Sequence, residues 1–222
     1  MAGKLIVLEG LDGSGKSTQL ALLPAALAQK GVRVRTISFP DYNDPSSTLV
    51  KMYLNGEFGT SAQQVNAYAA SIFYAADRYA SFVRYWREAY QAGEIILCGR
   101  YVSSNAMHQA SKLPRAQWGA YMDWLYELEF ERIGIPKPDL TLYLDMPREV
   151  ADRLITDRYA GDASKKDVHE RDFEYMQKCR DAADYAVEHL GWTRICCAEN
   201  GMPLDPQMIT QTLVQKILQA VQ

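Results

Sequence analysis

Leu5-Ile6-Val7-Leu8-Glu9-Gly10-Leu11-Asp12-Gly13-Ser14-Gly15-Lys16-Ser17-Thr18 is the stretch that decides the fold. Its first four residues are an apolar run of strand length. Residues 17–30, which follow, carry a helical pattern that stops at Gly31. Between strand and helix, Gly10 to Ser17 fits G-x-x-x-x-G-K-[ST]. The glycines let the backbone curl so that successive N–H groups point inward at an anion. The Lys16 ammonium supplies a point charge for β- and γ-phosphates, and the Ser17 hydroxyl is a ligand for Mg²⁺. The helix that opens here aims its N-terminal dipole at the same phosphates. The candidate phosphate-binding residues are Gly10, Asp12, Gly13, Ser14, Gly15, Lys16, Ser17 and Thr18. Thr18 stands where a dinucleotide-binding G-x-G-x-x-G would place its third glycine, which argues against that class.

Outward from this stretch, short apolar runs alternate with helical periodicity. Residues 33–39, 95–98, 140–144 and 193–197 read as further strands. Residues 61–91, 115–133, 147–156, 166–190 and 208–221 read as helices. This alternation implies an α/β protein, a five-stranded parallel sheet with helices on both faces, in the phosphate-loop (P-loop) NTPase class. The chain has 222 residues and shows no repeat, low-complexity segment or linker, so one domain over residues 1–222 is expected. A polar stretch at about residues 157–167 is the expected lid.

Lys plus Arg number 24 against 27 Asp plus Glu, a net charge of −3, a poor balance for binding a nucleic acid polymer. No apolar run approaches the ~20 residues of a membrane span, and no secretion signal is visible, so the cytoplasm is the expected compartment. Cys98, Cys179, Cys196 and Cys197 lack metal or disulfide spacing and read as reduced thiols. No N-K-x-D guanine motif is present.

Beyond the phosphate loop, four stretches resemble the thymidylate kinases, nucleoside-monophosphate kinases that phosphorylate dTMP. Phe39-Pro40 follows the second strand. Tyr74-Ala75-Ala76-Asp77-Arg78 is similar to the family's F-A-A-D-R. Arg100-Tyr101-Val102-Ser103-Ser104, with Gln109 downstream, is similar to D-R-Y-x-x-S-x-x-A-Y-Q. Pro138-Asp139-Leu140 through Asp145 is similar to P-D-L-x-x-x-L-D. The resemblance implies transfer of the γ-phosphoryl group of ATP to a deoxynucleoside monophosphate with Mg²⁺, by a homodimer. It implies acceptor-binding roles for Asp12, Phe39, Tyr74, Arg78, Arg100, Tyr101, Ser104 and Gln109. Tyr74 would stack on the base, Arg78 would read a base carbonyl, and Arg100 would clamp the acceptor phosphate. Lys16, Arg100, Glu9 and a lid arginine are the expected catalytic groups. Gly13 occupies the position from which some members supply an arginine within the loop, so the lid must supply it: Arg158 first, then Arg153, among neighbours Lys165 and Lys166. Asp167 and Glu170, beyond the lid, fit a helix cap as well as a catalytic role.

Two departures stand out. Gly99 replaces the aspartate of D-R-Y, which leaves Glu9 or Asp145 as possible substitutes for a carboxylate at the metal. Asp41-Tyr42-Asn43 lacks the arginine often found there, and residues 43–59 are free to reshape the acceptor pocket. Two alternatives to dTMP phosphorylation therefore stand at the level of sequence: a kinase of this fold with another nucleoside or monophosphate acceptor, and a nucleotide-binding protein without turnover. The aromatic positions Tyr68, Tyr79, Phe82 and Trp86 would serve either a dimer interface or packing on the sheet.

Overall fold

The computed structural model describes residues 2–59, 61–158 and 173–221. In chain order the elements are β1 (Leu5–Glu9), α1 (Lys16–Ala28), β2 (Val34–Ser38), α2 (Thr48–Leu54) and α3 (Ala67–Ser81). A π-helical turn, Phe82–Trp86, joins α3 to α4 (Arg87–Gln91). Then come β3 (Ile95–Gly99), α5 (Val102–His108) and α6 (Trp118–Tyr126), the last continued by a second π-helical turn, Glu127–Ile133. β4 (Leu140–Asp145), α7 (Arg148–Arg158), α8 (Phe173–His189) and β5 (Thr193–Cys196) complete the main sheet. A short antiparallel hairpin of β6 (Ala198–Glu199) and β7 (Met202–Pro203) precedes α9 (Pro206–Val221).

The five longer strands are all parallel, in the order β2-β3-β1-β4-β5. β1 is central and buried along its whole length, so its side chains feed both faces of the sheet. Leu5 and Val7 join Ile96, Cys98 and Tyr143 beneath α5, α6 and α8. Ile6 and Leu8 join Leu97, Leu142 and Leu144 beneath α1 and α9. Period-two alternation in one apolar run thus builds two cores. α9 is tied to α1 by Gln19, which donates to the Pro206 carbonyl (3.0 Å) and accepts from the Thr210 hydroxyl (2.8 Å).

The α/β reading and all five expected strands hold. The helical reading of residues 61–91 is corrected: regular helix begins only at Ala67, after a 3-10 turn at Ala62–Gln64, and the run is broken by the π turn. The expected helix over 166–190 starts within the described residues at Phe173. Two helices were missed. α2 is too short for a periodicity signal, and α5 hides in the motif-like run after Arg100. The four cysteines are free thiols, three of them buried. No helix among the described residues is long and apolar enough to cross a membrane.

Candidate active site

The carboxyl ends of parallel strands are where open α/β sheets bind ligands. Here Glu9, Ser38, Gly99 and Asp145 end four neighbouring strands. The phosphate loop leaves β1 through Gly10, whose φ of 153° suits glycine. A Cβ at Gly10 would meet the Ser14 hydroxyl at 2.5 Å and the Leu144 carbonyl at 2.9 Å. At Gly13 (φ 78°) a Cβ would lie 2.7 Å from the Ala151 carbonyl, so the loop packs backbone to backbone on α7. Lys16 donates to the carbonyls of Gly10 (2.5 Å) and Leu11 (2.8 Å), folding its ammonium over the loop. The Ser14 hydroxyl is buried without a hydrogen-bond partner among the described residues, a donor left over in an anion cradle. Ser17 and Thr18 are exposed at the start of α1. Together with Ser38, Gly99 and Arg100 the loop encloses a polar cleft of about 110 Å³.

A second cavity, of about 140 Å³, lies beside it. Its walls include the expected acceptor residues Asp12, Phe39, Tyr74, Arg78, Arg100, Tyr101, Ser104 and Gln109. Asp12 and Arg100 belong to both spaces and are ion-paired to each other, so this pair forms the boundary between the two. Arg100 has φ 60°, a left-handed conformation that is uncommon and costly for a residue with a side chain. The backbone N–H of Arg100 donates to the Leu8 carbonyl at 3.2 Å, which helps hold this conformation beside β1.

Charge concentrates at this boundary. Burial opposes ionisation of Asp12, but Arg100, Lys16 and His108 outweigh it and hold the carboxyl well below the usual range. Glu9 is fully buried, and its two oxygens accept from the Ser104 hydroxyl at 2.9 Å each. Burial pushes its pKa up to about 7 despite the attraction of Arg100 and Lys16. This raised pKa makes the fold favour protonated Glu9. Stability from this group is complete below the ordinary carboxyl pKa of 4.5 and is lost as pH rises from there to about 7. In Glu9→Gln, the melting temperature is expected to gain on the parent as pH rises from 4.5 to 7.5. A gap that stays constant with pH contradicts this assignment.

Arg78 lines the cavity, but it is also 1% exposed and grips Glu129 with Nε (2.7 Å) and Nη2 (2.5 Å). Its third nitrogen donates to the Tyr101 carbonyl at 3.3 Å. Glu129, not singled out from sequence, is the carboxylate that makes a buried guanidinium tolerable. Tyr74 meets Tyr53 of α2 edge-on at 6.3 Å between ring centroids. Tyr101 is fully buried, donates to the Pro136 carbonyl (2.9 Å) and stacks on Phe130, so it serves the core as well as the cavity wall. Asn105, His108 and Tyr175 also line the cavity and were missed, while Tyr42 and Leu54 line it from the stretch expected to alter the acceptor pocket. The signal for Asn105 and His108 was helical spacing from Ser104 and Gln109 across the overlooked α5.

The segment after Phe39 and Pro40, which are joined by a cis peptide bond, packs against α3. Asp77 accepts from the Asp41 N–H (3.0 Å) and the Ser46 hydroxyl (2.5 Å), while Asp44 pairs with Arg84 (3.0 Å). Asp145 is ion-paired to Arg180 (3.0 Å) and Arg194 (2.8 Å). Arg153 donates to the Gly201 carbonyl in the β6–β7 turn. The side chain of Arg158, together with Lys165, Lys166, Asp167 and Glu170, lies outside the described residues.

Gly99 faces the phosphate cleft, but the direction a side chain would take is filled. A Cβ there would come within 2.2 Å of Leu20 Cδ1 and 3.3 Å of the Ser38 hydroxyl. Leu20 therefore occupies the space next to the position the family pattern gives to aspartate. Gly99→Asp alone is expected to lose ~1–3 kcal/mol by overpacking. Adding Leu20→Ala should restore much of that in thermal unfolding, and a single variant as stable as the parent contradicts the packing account.

A phosphate loop on the central strand, with a second cavity across an Asp–Arg boundary, defines a phosphate-loop nucleotide kinase. The sequence model of the thymidylate kinase family matches residues 8–202. The thymidylate kinase of Mycobacterium tuberculosis is 33% identical over 212 residues, 94% of this chain and 96% of that one. The thymidylate kinase of Rhizorhabdus wittichii is 31% identical over 218 residues, 98% of each chain. The solved structure of Candida albicans thymidylate kinase superposes with a TM-score of 0.73 at 23% identity, covering 98% of this chain and 92% of that one, which shows the shared fold. The chain belongs to the thymidylate kinase family.

Proposed function

We propose that this protein transfers the γ-phosphoryl group of ATP to dTMP, giving dTDP and ADP. The observation that carries the reading is the shared Asp12–Arg100 wall: one cavity holds the phosphate loop, the other a base-sized aromatic space, and a guanidinium stands between them. In the reaction an oxygen of the dTMP phosphate forms a bond to the γ-phosphorus while the bond to the β,γ-bridging oxygen breaks. The attacking phosphate is already anionic, so the protein's work is positioning and neutralising charge. Arg100 grips the acceptor phosphate and Lys16 lies along the donor phosphates. Glu9, Asp12 and Ser104 fix these cations in place. Arg158, then Arg153, remain the candidates for the lid cation.

Mg²⁺ fits this site as an ion held chiefly through phosphate oxygens and the Ser17 hydroxyl. Among the described residues no group of three His, Cys, Asp or Glu side chains is close enough to cage a metal. Held there, Mg²⁺ would supply positive charge against the donor phosphates. The test of the reading is ADP release with dTMP, dUMP, dCMP and thymidine as acceptors. Turnover with dTMP well above the others is expected, and turnover with thymidine but not dTMP would contradict it.

A single 222-residue kinase domain working in the cytoplasm, with no nucleic acid polymer as partner, completes the proposal. A homodimer is also proposed. Of the expected aromatic face, Phe82 and Trp86 are core, at 9% and 1% exposure. Tyr68, Ile72 and Tyr79 of α3 stay outside, at 40%, 52% and 47%. Ile72→Glu with Tyr79→Glu is expected to halve the mass measured by light scattering, and a parent that is monomeric at micromolar concentration rejects the dimer.

A further inference from the structure

The acceptor cavity lies between two walls that have separate cores. One wall is α5, whose Ser104, Asn105 and His108 line the cavity and whose apolar side chains join the core shared with α6 and α8. The other is α2 with the first half of α3, which contribute Leu54 and Tyr74. Those two residues pack on a small cluster of their own, built on buried Tyr53, Val65 and Ala70 and distinct from the two cores of the sheet. Lys112 joins the walls. It ends the 3-10 turn Ala110–Lys112 that follows α5. Its ammonium reaches the small cluster, donating to the Tyr53 hydroxyl (2.8 Å) and the Val65 carbonyl (3.0 Å). The Tyr53 ring in turn meets Tyr74 edge-on. Val65 directly precedes Asn66, whose side chain caps the start of α3 by accepting from the Ala69 N–H (2.8 Å). The turn that carries Lys112 is itself held in place. There the Ser111 hydroxyl donates to the His108 carbonyl (2.8 Å) and accepts from the Cys179 thiol of α8 (3.4 Å).

Lys112 is half-buried, and among the described residues no carboxylate pairs with it. Burial pulls its pKa down to about 8. A cation set against burial on two neutral oxygens adds little to stability. Its use is directional: one nitrogen aims N–H groups at two separate segments of the opposite wall. We propose that Lys112 is a positioning residue that fixes the spacing of the two cavity walls and, through it, the affinity for the acceptor nucleotide. Lys112 lines neither cavity. It acts through Tyr53 on Tyr74 and through Val65 on the start of α3. The inference rests on the monophosphate-kinase reading and adds to that site a residue set behind its wall.

The test measures dTMP binding by calorimetry and ADP release at steady state in the full-length parent, Lys112→Met, Tyr53→Phe and the double variant. Lys112→Met keeps most of the alkyl length and removes the donors; Tyr53→Phe removes only the hydroxyl. Lys112→Met is expected to weaken dTMP binding and raise its KM by roughly tenfold, while kcat and the KM for ATP change less than about threefold. Tyr53→Phe should show the same split with a smaller loss, because the contact with Val65 remains. The double variant should bind dTMP within about twofold of Lys112→Met, since the hydroxyl has already lost its partner. Equal losses for dTMP and ATP, unchanged dTMP binding in a folded Lys112→Met or Tyr53→Phe, or additive losses in the double variant overturn the proposal and leave the kinase reading intact. Should Lys112→Met fail to fold, Tyr53→Phe decides alone. A parent that binds dTMP without releasing ADP overturns the kinase reading, while the binding comparison still decides the role of Lys112. A parent that binds no dTMP overturns both.

Discussion

Lys16→Ala is expected to lower kcat by at least roughly a hundredfold, because removing one fixed charge or donor from a developing anion typically costs 10²–10³ in rate. Lys16 is 8% exposed and folded onto the Gly10 and Leu11 carbonyls. Its alkyl chain and ammonium therefore belong to the cleft rather than to solvent. Loss of the side chain removes the one cation the loop itself supplies and leaves the neighbouring carboxylates less well balanced. Glu9, already raised to about 7 by burial, loses one of the two charges that favour its ionised form, so its pKa should climb further. The check is steady-state ADP release at saturating ATP and dTMP, with circular dichroism to confirm folding. Normal turnover would remove the phosphate loop from the mechanism.

Arg100→Ala is expected to lower kcat/KM for dTMP by roughly 10²–10³-fold, with a much smaller change in the KM for ATP. Arg100→Lys should recover only part of the loss. A lysine restores the charge but not the planar fork that grips a phosphate through two parallel hydrogen bonds. The Arg100 guanidinium is ion-paired to Asp12, and the pair forms the boundary between the two cavities. Deleting the guanidinium also strands Asp12, whose ionised form depends on it against the cost of burial. Rates for the three proteins against varied dTMP decide the matter, and parent-like values for Arg100→Lys would mean that charge alone suffices.

What could be read from sequence was local. The phosphate loop is legible because its chemistry resides in consecutive backbone groups and one lysine, and the flanking apolar run identifies the strand. Tyr74, Arg100 and Ser104 were legible through a family resemblance, and all three line the acceptor cavity. Features that depend on distant chain segments were not legible. Arg78 read as a base-reading arginine, yet two of its five N–H donors are spent on Glu129, fifty-one residues away. Gly99 read as a missing carboxylate, yet only packing reveals that Leu20 of α1 stands against it. The aromatic stripe from Tyr68 to Trp86 divides between surface and core: Tyr68 and Tyr79 lie on the exposed face of α3, while Phe82 and Trp86 continue the buried face that runs through Ser71, Ala75 and Arg78. α2 lies in the segment expected to reshape the acceptor pocket, and its Leu54 lines the cavity while its Tyr53 packs edge-on against Tyr74.

The central claim is that the two cavities form one reaction chamber, divided only by Asp12 and Arg100. It is tested most directly with a single molecule that joins adenosine and thymidine through five phosphates, titrated into the protein by calorimetry. One molecule is expected to bind per chain, roughly a hundredfold or more tighter than ATP or dTMP alone, because the second half binds at high effective concentration. Either ATP or dTMP should displace it. Displacement by ATP alone, or an affinity no better than that of ATP, would contradict the shared chamber.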